Sequence, residues 1–71
     1  MTRLHNFMTA NRITGIRLAV RAGVSATHIS RVRRGASEPT RGIMVAIAGA
    51  ASDILRKKIP VSELFDLGDD E

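Results

Sequence analysis

Two short helical patterns separated by one glycine constrain this chain more than any other feature. Residues 15–34 read GIRLAVRAGVSATHISRVRR, with apolar positions at helical spacing on both sides of the turn. Gly23 can take the left-handed backbone conformation that ends one helix and redirects the chain. Ser25 can start the second helix, in which Ile29 and Val32, three residues apart, form a buried stripe. This pattern predicts two helices packed across a tight turn.

The downstream stretch EPTRGIMVAIA extends this pattern into an ordered set of small, apolar and turn residues. The set comprises Thr14, Leu18, Ala19, Ala22, Gly23, Val24, Ser25, Ile29, Ser30, Gly35, Pro39, Ile47, Ala48, Leu64 and Phe65. Their order resembles the lambda-repressor/Cro-like (XRE-type) helix-turn-helix DNA-binding domain, and the resemblance covers most of the chain. It implies an all-α fold, a compact five-helix lambda-repressor-like bundle in which helices 2 and 3 form the helix-turn-helix.

Apolar periodicity and capping residues predict where the helices lie. Besides a helix 2 that starts after Thr14, we expect helices over 3–10, 26–33, 41–56 and 60–66. The predicted core contains Leu18, Val24, Ile29, Val32, Ile47 and Leu64. Residues 52–59 are longer than the link between helices 4 and 5 that the resemblance implies, and we interpret them as an extension of helix 4 that serves a dimer contact. Gly42 and Gly49 inside helix 4 are expected to mark close backbone approach.

The domain is expected to span residues 1–66, followed by an acidic, disordered tail over 67–71. Charge is distributed unevenly along the 71 residues, whose formal net charge is +4. All 11 basic residues lie within 1–58, where only Glu38 and Asp53 oppose them, so this part carries +9. A basic body of this kind suits a polyanion. Ordinary solubility charge is the alternative, but the clustering of arginines in helix 3 favours DNA.

Several classes of protein are disfavoured by what the sequence lacks. It contains no cysteine, and His5 and His28 are isolated, so no disulfide, metal site or cofactor is expected. No apolar run approaches the roughly 20 residues that span a bilayer, and no signal peptide is visible, so we expect a cytoplasmic protein without membrane contact. The sequence shows neither a nucleophile with its base nor paired carboxylates in an apolar setting, so we do not expect an enzyme. An RNA-binding protein would need an aromatic stacking platform, whereas Phe7 and Phe65 are both predicted core residues.

Helix 3 carries the strongest functional pattern. At 100° per residue, Thr27, Ser30, Arg31 and Arg34 point away from the predicted core, and no acidic residue stands at the helix start. A face of small hydroxyls and arginines fits a major groove, and an open helix N-terminus suits a phosphate. Arginines at a helix C-terminus also complement the helix dipole without binding anything, which is the alternative explanation.

The resemblance implies roles for individual positions, because in such domains helix 3 enters the major groove while neighbouring segments hold phosphates. The implied base-reading residues are Ala26, Thr27, His28, Ser30 and Arg31. The implied phosphate-binding residues are Gly15, Arg17, Arg33, Arg34, Ser37 and Arg41. Many relatives carry glutamine at the position of Gly15 and a polar residue at that of Ala26. We therefore expect Ala26 to meet a thymine methyl group instead of forming a hydrogen bond.

These expectations combine into a small phage or bacterial transcriptional repressor that binds double-stranded DNA. It is expected to bind an inverted-repeat operator as a homodimer, joined through helix 5 and the end of helix 4. The alternative is an antitoxin that shares the DNA-binding domain and also binds a partner toxin. Only the short acidic tail offers such an antitoxin a segment for contacting its toxin.

Overall fold

The computed structural model describes residues 2–65, which form five helices and no strand. The helices are α1 (Arg3–Asn11), α2 (Gly15–Ala22), α3 (Ala26–Arg34), α4 (Arg41–Leu55) and α5 (Val61–Leu64). This confirms the prediction of an all-helical chain with five helices. The predicted acidic tail over 67–71, like the predicted end of helix 5 at residue 66, lies outside the described residues.

The first four helices begin in the same way. A threonine or serine precedes each helix, and its hydroxyl oxygen accepts a hydrogen bond from the backbone N–H three residues further on. The pairs are Thr2 with His5, Thr14 with Arg17, Ser25 with His28, and Thr40 with Ile43. Such a cap contributes about 1 kcal/mol. The chain therefore defines the starts of these helices by local chemistry.

Glycines end the two helices that frame the turn. Gly23 closes α2 with φ of 75° and donates its N–H to the carbonyl of Ala19, while Gly35 closes α3 with φ of 78°. This left-handed conformation costs other L-residues roughly 1–2 kcal/mol. Because α2 ends at Ala22 and α3 begins at Ala26, only three residues connect them.

The core lies where α2 packs against α3 and α4, with α1 and α5 completing it. Its buried side chains are Leu4, Met8, Ile13, Leu18, Ala19, Ile29, Val32, Ile47, Ala48, Ala50, Ala51, Ile59, Leu64 and Phe65. Five of the six predicted core residues are among them. Val24 is the exception, since it is only half-buried at the edge of the core. It lies in the connecting turn, where solvent reaches one side of the side chain.

The predicted extension of helix 4 through residue 59 is wrong. Helix α4 ends at Leu55, and Arg56 takes a left-handed conformation with φ of 56°. The Ser52 hydroxyl donates to the carbonyl of Ala48 and accepts the N–H of Ile59 at 2.9 Å. These bonds turn the chain back, so that Ile59 enters the core at 4% exposure.

Helix α5 is also buried on its inner side. Pro60 precedes it without a side-chain cap, and Leu64 and the following Phe65 both face the core of their own chain. A dimer contact at this end of the molecule would therefore use the outer side of α5.

None of the helices in residues 2–65 combines the length and the apolar composition that a bilayer crossing requires.

The glycines inside α4 do not mark close packing, contrary to the sequence-based expectation. Gly42 and Gly49 are both exposed. A Cβ atom added at Gly49 would meet nothing within 4 Å, and one added at Gly42 would meet only the Thr40 hydroxyl oxygen at 3.9 Å. No neighbouring helix packs closely against either glycine, so neither is needed for helix packing.

Candidate nucleic-acid interface

Helix α3 separates into a buried side and an exposed side, as its sequence predicts. Ile29 and Val32 are 0% and 4% exposed and anchor the helix in the core. The exposed side chains along the helix are Ala26, Thr27, Ser30, Arg31 and Arg34. Small side chains therefore stand at the first turn of this face and guanidinium groups at the last.

The starts of α2 and α3 leave backbone N–H groups available to a ligand. Ser25 caps only the N–H of His28, and those of Ala26 and Thr27 find no acceptor within residues 2–65. Neither helix has an acidic residue in its first turn. The positive end of each helix dipole is thus uncompensated by a carboxylate on its own first turn, which favours an anion there.

Two arginines extend from the exposed side of α3. The Arg31 side chain forms no hydrogen bond or ion pair within the described residues, and the Arg34 side chain donates only to the backbone carbonyl of Ser30, at 3.4 Å. Residues 2–65 contain three acidic residues, none of them in α3. One of the three, Asp53, is paired with Arg21 at the end of α2. The exposed side of α3 is consequently a cationic surface without a carboxylate on the helix itself.

Arg33 differs from these two arginines. Its side chain is half-buried, its Nε donates to Nδ1 of His5 at 3.1 Å, and its terminal nitrogen reaches the Thr9 hydroxyl at 3.5 Å. The guanidinium therefore connects α3 to α1. A phosphate contact by Arg33, implied by the resemblance, would have to compete with these bonds.

His28 is also set apart from the remaining predicted base-reading positions. The residue is half-buried, and its Nε2 atom is shielded from solvent without a hydrogen-bond partner among the described residues. That nitrogen is not presented to a groove. Of the five predicted base-reading residues, the other four are exposed.

The predicted phosphate-binding residues occupy different parts of the surface. Arg17 in the first turn of α2 and Arg41 at the start of α4 are both exposed. Ser37 is half-buried and lines a cavity of about 550 Å³ together with Arg3 and Leu64. That cavity lies between α1, the loop after α3 and α5. The structure thus places Ser37 away from the starts of α2 and α3.

Gly15, Ala26 and Ser30 do come together, around a cavity of about 300 Å³ that we call the α2–α3 slot. Its lining residues are Thr14, Gly15, Ile16, Ala26, Ile29, Ser30 and Arg33. Sequence reasoning missed Ile16, which is 70% exposed at the rim. The signal was present, because a residue two positions before buried Leu18 points about 200° away from it on a helix.

Comparisons with protein-family models, with curated proteins and with solved structures found no significant match to this chain. The fold and its surface chemistry therefore carry the functional argument, and the family resemblance remains an expectation from the sequence.

Proposed function

We propose that this chain is a sequence-specific double-stranded DNA-binding transcriptional regulator of the lambda-repressor/Cro-like type. The observation that carries the proposal is the exposed side of α3, which combines small hydroxyl side chains with arginines and lacks any carboxylate. Beside it lie the open starts of two helices. Together these features offer hydrogen-bond donors to bases and positive charge to phosphates.

The dimensions of α3 support insertion into DNA. An α-helix with its side chains is roughly 10–12 Å across, which matches the roughly 12 Å major groove. Thr27 and Ser30 can donate or accept hydrogen bonds at base edges. Arg31 can donate two bonds to guanine N7 and O6 in a fixed fork. We assign base reading chiefly to Thr27, Ser30 and Arg31, with Ala26 as an apolar contact.

Phosphate binding falls to groups around this helix. Arg17, Arg34 and Arg41 are exposed, and the backbone N–H of Gly15 lies at the open start of α2. Residues 2–65 contain 11 basic and three acidic residues, a net charge of +8 that raises the local concentration of a polyanion. Such contacts fix position and orientation on the duplex without reading sequence.

We propose that the chain acts as a homodimer on an inverted repeat. Two α3 helices related by twofold symmetry would read half-sites about 34 Å apart, one turn of B-DNA. A dimer bound across a promoter blocks access to it, so repression requires nothing beyond binding. The outer side of α5 and the end of α4 remain the proposed dimer contact.

Selection of bound duplexes from a random library tests this proposal. We expect enrichment of a motif with twofold symmetry, and association that weakens steeply as salt rises. A single-stranded RNA library of equal length serves as the polyanion control. Equal binding to both libraries without any enriched motif would overturn sequence-specific DNA binding.

A further inference from the structure

The α2–α3 slot is an apolar feature in a cationic surface. Ile16 at its rim is 70% exposed, which leaves most of a large aliphatic side chain in water. The exposed Ala26, at the first position of α3, and Ile29 of the core also line the slot. The slot thus combines one protruding apolar side chain with one small one.

Gly15 leaves this slot open, although the backbone conformation does not require a glycine at that position. Its φ is not positive, unlike those of Gly23 and Gly35. An added Cβ would lie 3.8 Å from Cγ2 of Ile29, which is an ordinary van der Waals contact. Neither backbone strain nor a steric clash requires glycine there. The missing side chain therefore matters for the space that it leaves at the surface.

The surroundings indicate what occupies the slot. None of its lining residues carries a carboxylate, Arg33 lines it, and Arg31 and Arg34 stand on the adjacent face of α3. An occupant is therefore an apolar group attached to a polyanion. In the major groove of DNA the apolar group within reach of a protein side chain is the C5 methyl group of thymine.

We propose that the α2–α3 slot binds a thymine methyl group, and that Ile16 of α2 determines specificity at this base pair together with Ala26. This inference rests on the proposed DNA-binding function. It assigns part of the sequence reading to the helix that precedes α3. Burial of one methyl group corresponds to about a fourfold gain in affinity.

Uracil substitution tests this contact directly, because uracil lacks only the C5 methyl group and keeps every hydrogen-bonding group of thymine. Each thymine of the selected duplex is replaced in turn, and dissociation constants are measured by fluorescence anisotropy. We expect one thymine per half-site whose replacement weakens wild-type binding about fourfold. In Ile16→Ala that penalty should fall below about twofold.

Val20→Ala is the matched control, because Val20 lies one turn further along α2, is 76% exposed and does not line the slot. It should retain the uracil penalty of the wild type. Gly15→Ala adds a methyl group to the slot and favours the helix, so it does not fail through unfolding. It should bind the thymine and uracil duplexes with nearly equal affinity.

The outcomes separate this inference from the function on which it rests. Specific binding with no uracil-sensitive thymine, or a penalty unchanged in Ile16→Ala, would overturn the methyl contact and leave DNA binding intact. Failure to bind any duplex specifically would overturn both. If Ile16→Ala instead lowers the molar mass in sedimentation equilibrium while the uracil penalty persists, the slot holds a second copy of the chain and our assignment is wrong.

Discussion

The Nε atom of Arg33 donates a hydrogen bond to Nδ1 of His5 over 3.1 Å, which connects the last turn of α3 to the first turn of α1. The Thr2 hydroxyl adds to this junction by donating to the backbone carbonyl of Arg33. Arg34, the next residue, is exposed and bonds only within its own helix. Of these two adjacent arginines, Arg33 therefore joins α3 to α1, whereas Arg34 remains on the exposed surface of α3.

Arg33→Ala should lower the free energy of unfolding by about 1 kcal/mol, because it removes the bond to His5 and exposes the packing of α1 on α3. Arg34→Ala is the matched control and should change stability by less than about 0.5 kcal/mol. Urea unfolding followed by circular dichroism at 222 nm measures both. Equal losses in the two variants would contradict the role given to Arg33.

The helix starts and the turn could be predicted from sequence, because their causes are local. Thr14 and Ser25 cap the helices that follow them, and Gly23 supplies a conformation that few other residues tolerate. The end of α4 could not be predicted in this way. Arg56 takes a positive φ although it is not a glycine, and its backbone N–H donates to the carbonyl of Ser52. The turn beyond it is held by the contact between Ser52 and Ile59, seven residues apart, which helical periodicity does not reveal.

Ser52→Ala should destabilise the chain by about 1–2 kcal/mol, because the half-buried N–H of Ile59 loses its acceptor. Ser62→Ala on the exposed side of α5 is the control, since no hydrogen bond to that hydroxyl is present within residues 2–65. Thermal unfolding of both variants is the measurement. A stability of Ser52→Ala within 0.3 kcal/mol of the wild type would show that this hydroxyl does not hold the turn.

Gly49→Ala should stabilise the chain by about 0.5–1 kcal/mol, because Gly49 lies inside α4, is exposed, and has room for a Cβ atom. Gly23→Ala should do the opposite and cost about 1–2 kcal/mol, since φ at that position is 75°. Denaturant midpoints of the two variants give the comparison. Destabilisation by Gly49→Ala would mean that α4 is more tightly covered at this point than the structure shows.

Arg17→Ala should weaken binding to specific and random duplexes alike and make the slope of log K against log salt shallower by about one unit. Arg21→Ala is the control, because it removes the same charge from the same helix. Arg21 lies at the far end of α2, where it is paired with Asp53 of α4. Its slope should stay close to that of the wild type. Equal changes in both slopes would show that net charge, and not the start of α2, governs phosphate binding.

The candidate site was less predictable than the fold for a physical reason. Helical periodicity shows which residues leave the core, and Thr27, Ser30 and Arg31 are exposed as expected. It does not show which exposed side chains find partners on other helices, so the bond from Arg33 to α1 was missed. Periodicity does place Ile16 outside the core, but it does not reveal the slot that Ile16 lines, because the slot exists only where two helix starts meet.

Parallel selection of binding sites with the wild type and Arg31→Ala tests the central claim, that α3 reads base edges in the major groove. We predict an inverted repeat for the wild type with guanine preferred at one position of each half-site. In Arg31→Ala the preference at that position should be lost, with binding to the wild-type site weakened by about 1–3 kcal/mol. An identical motif from both proteins would contradict base reading by Arg31, and the absence of any motif from the wild type would contradict the account as a whole.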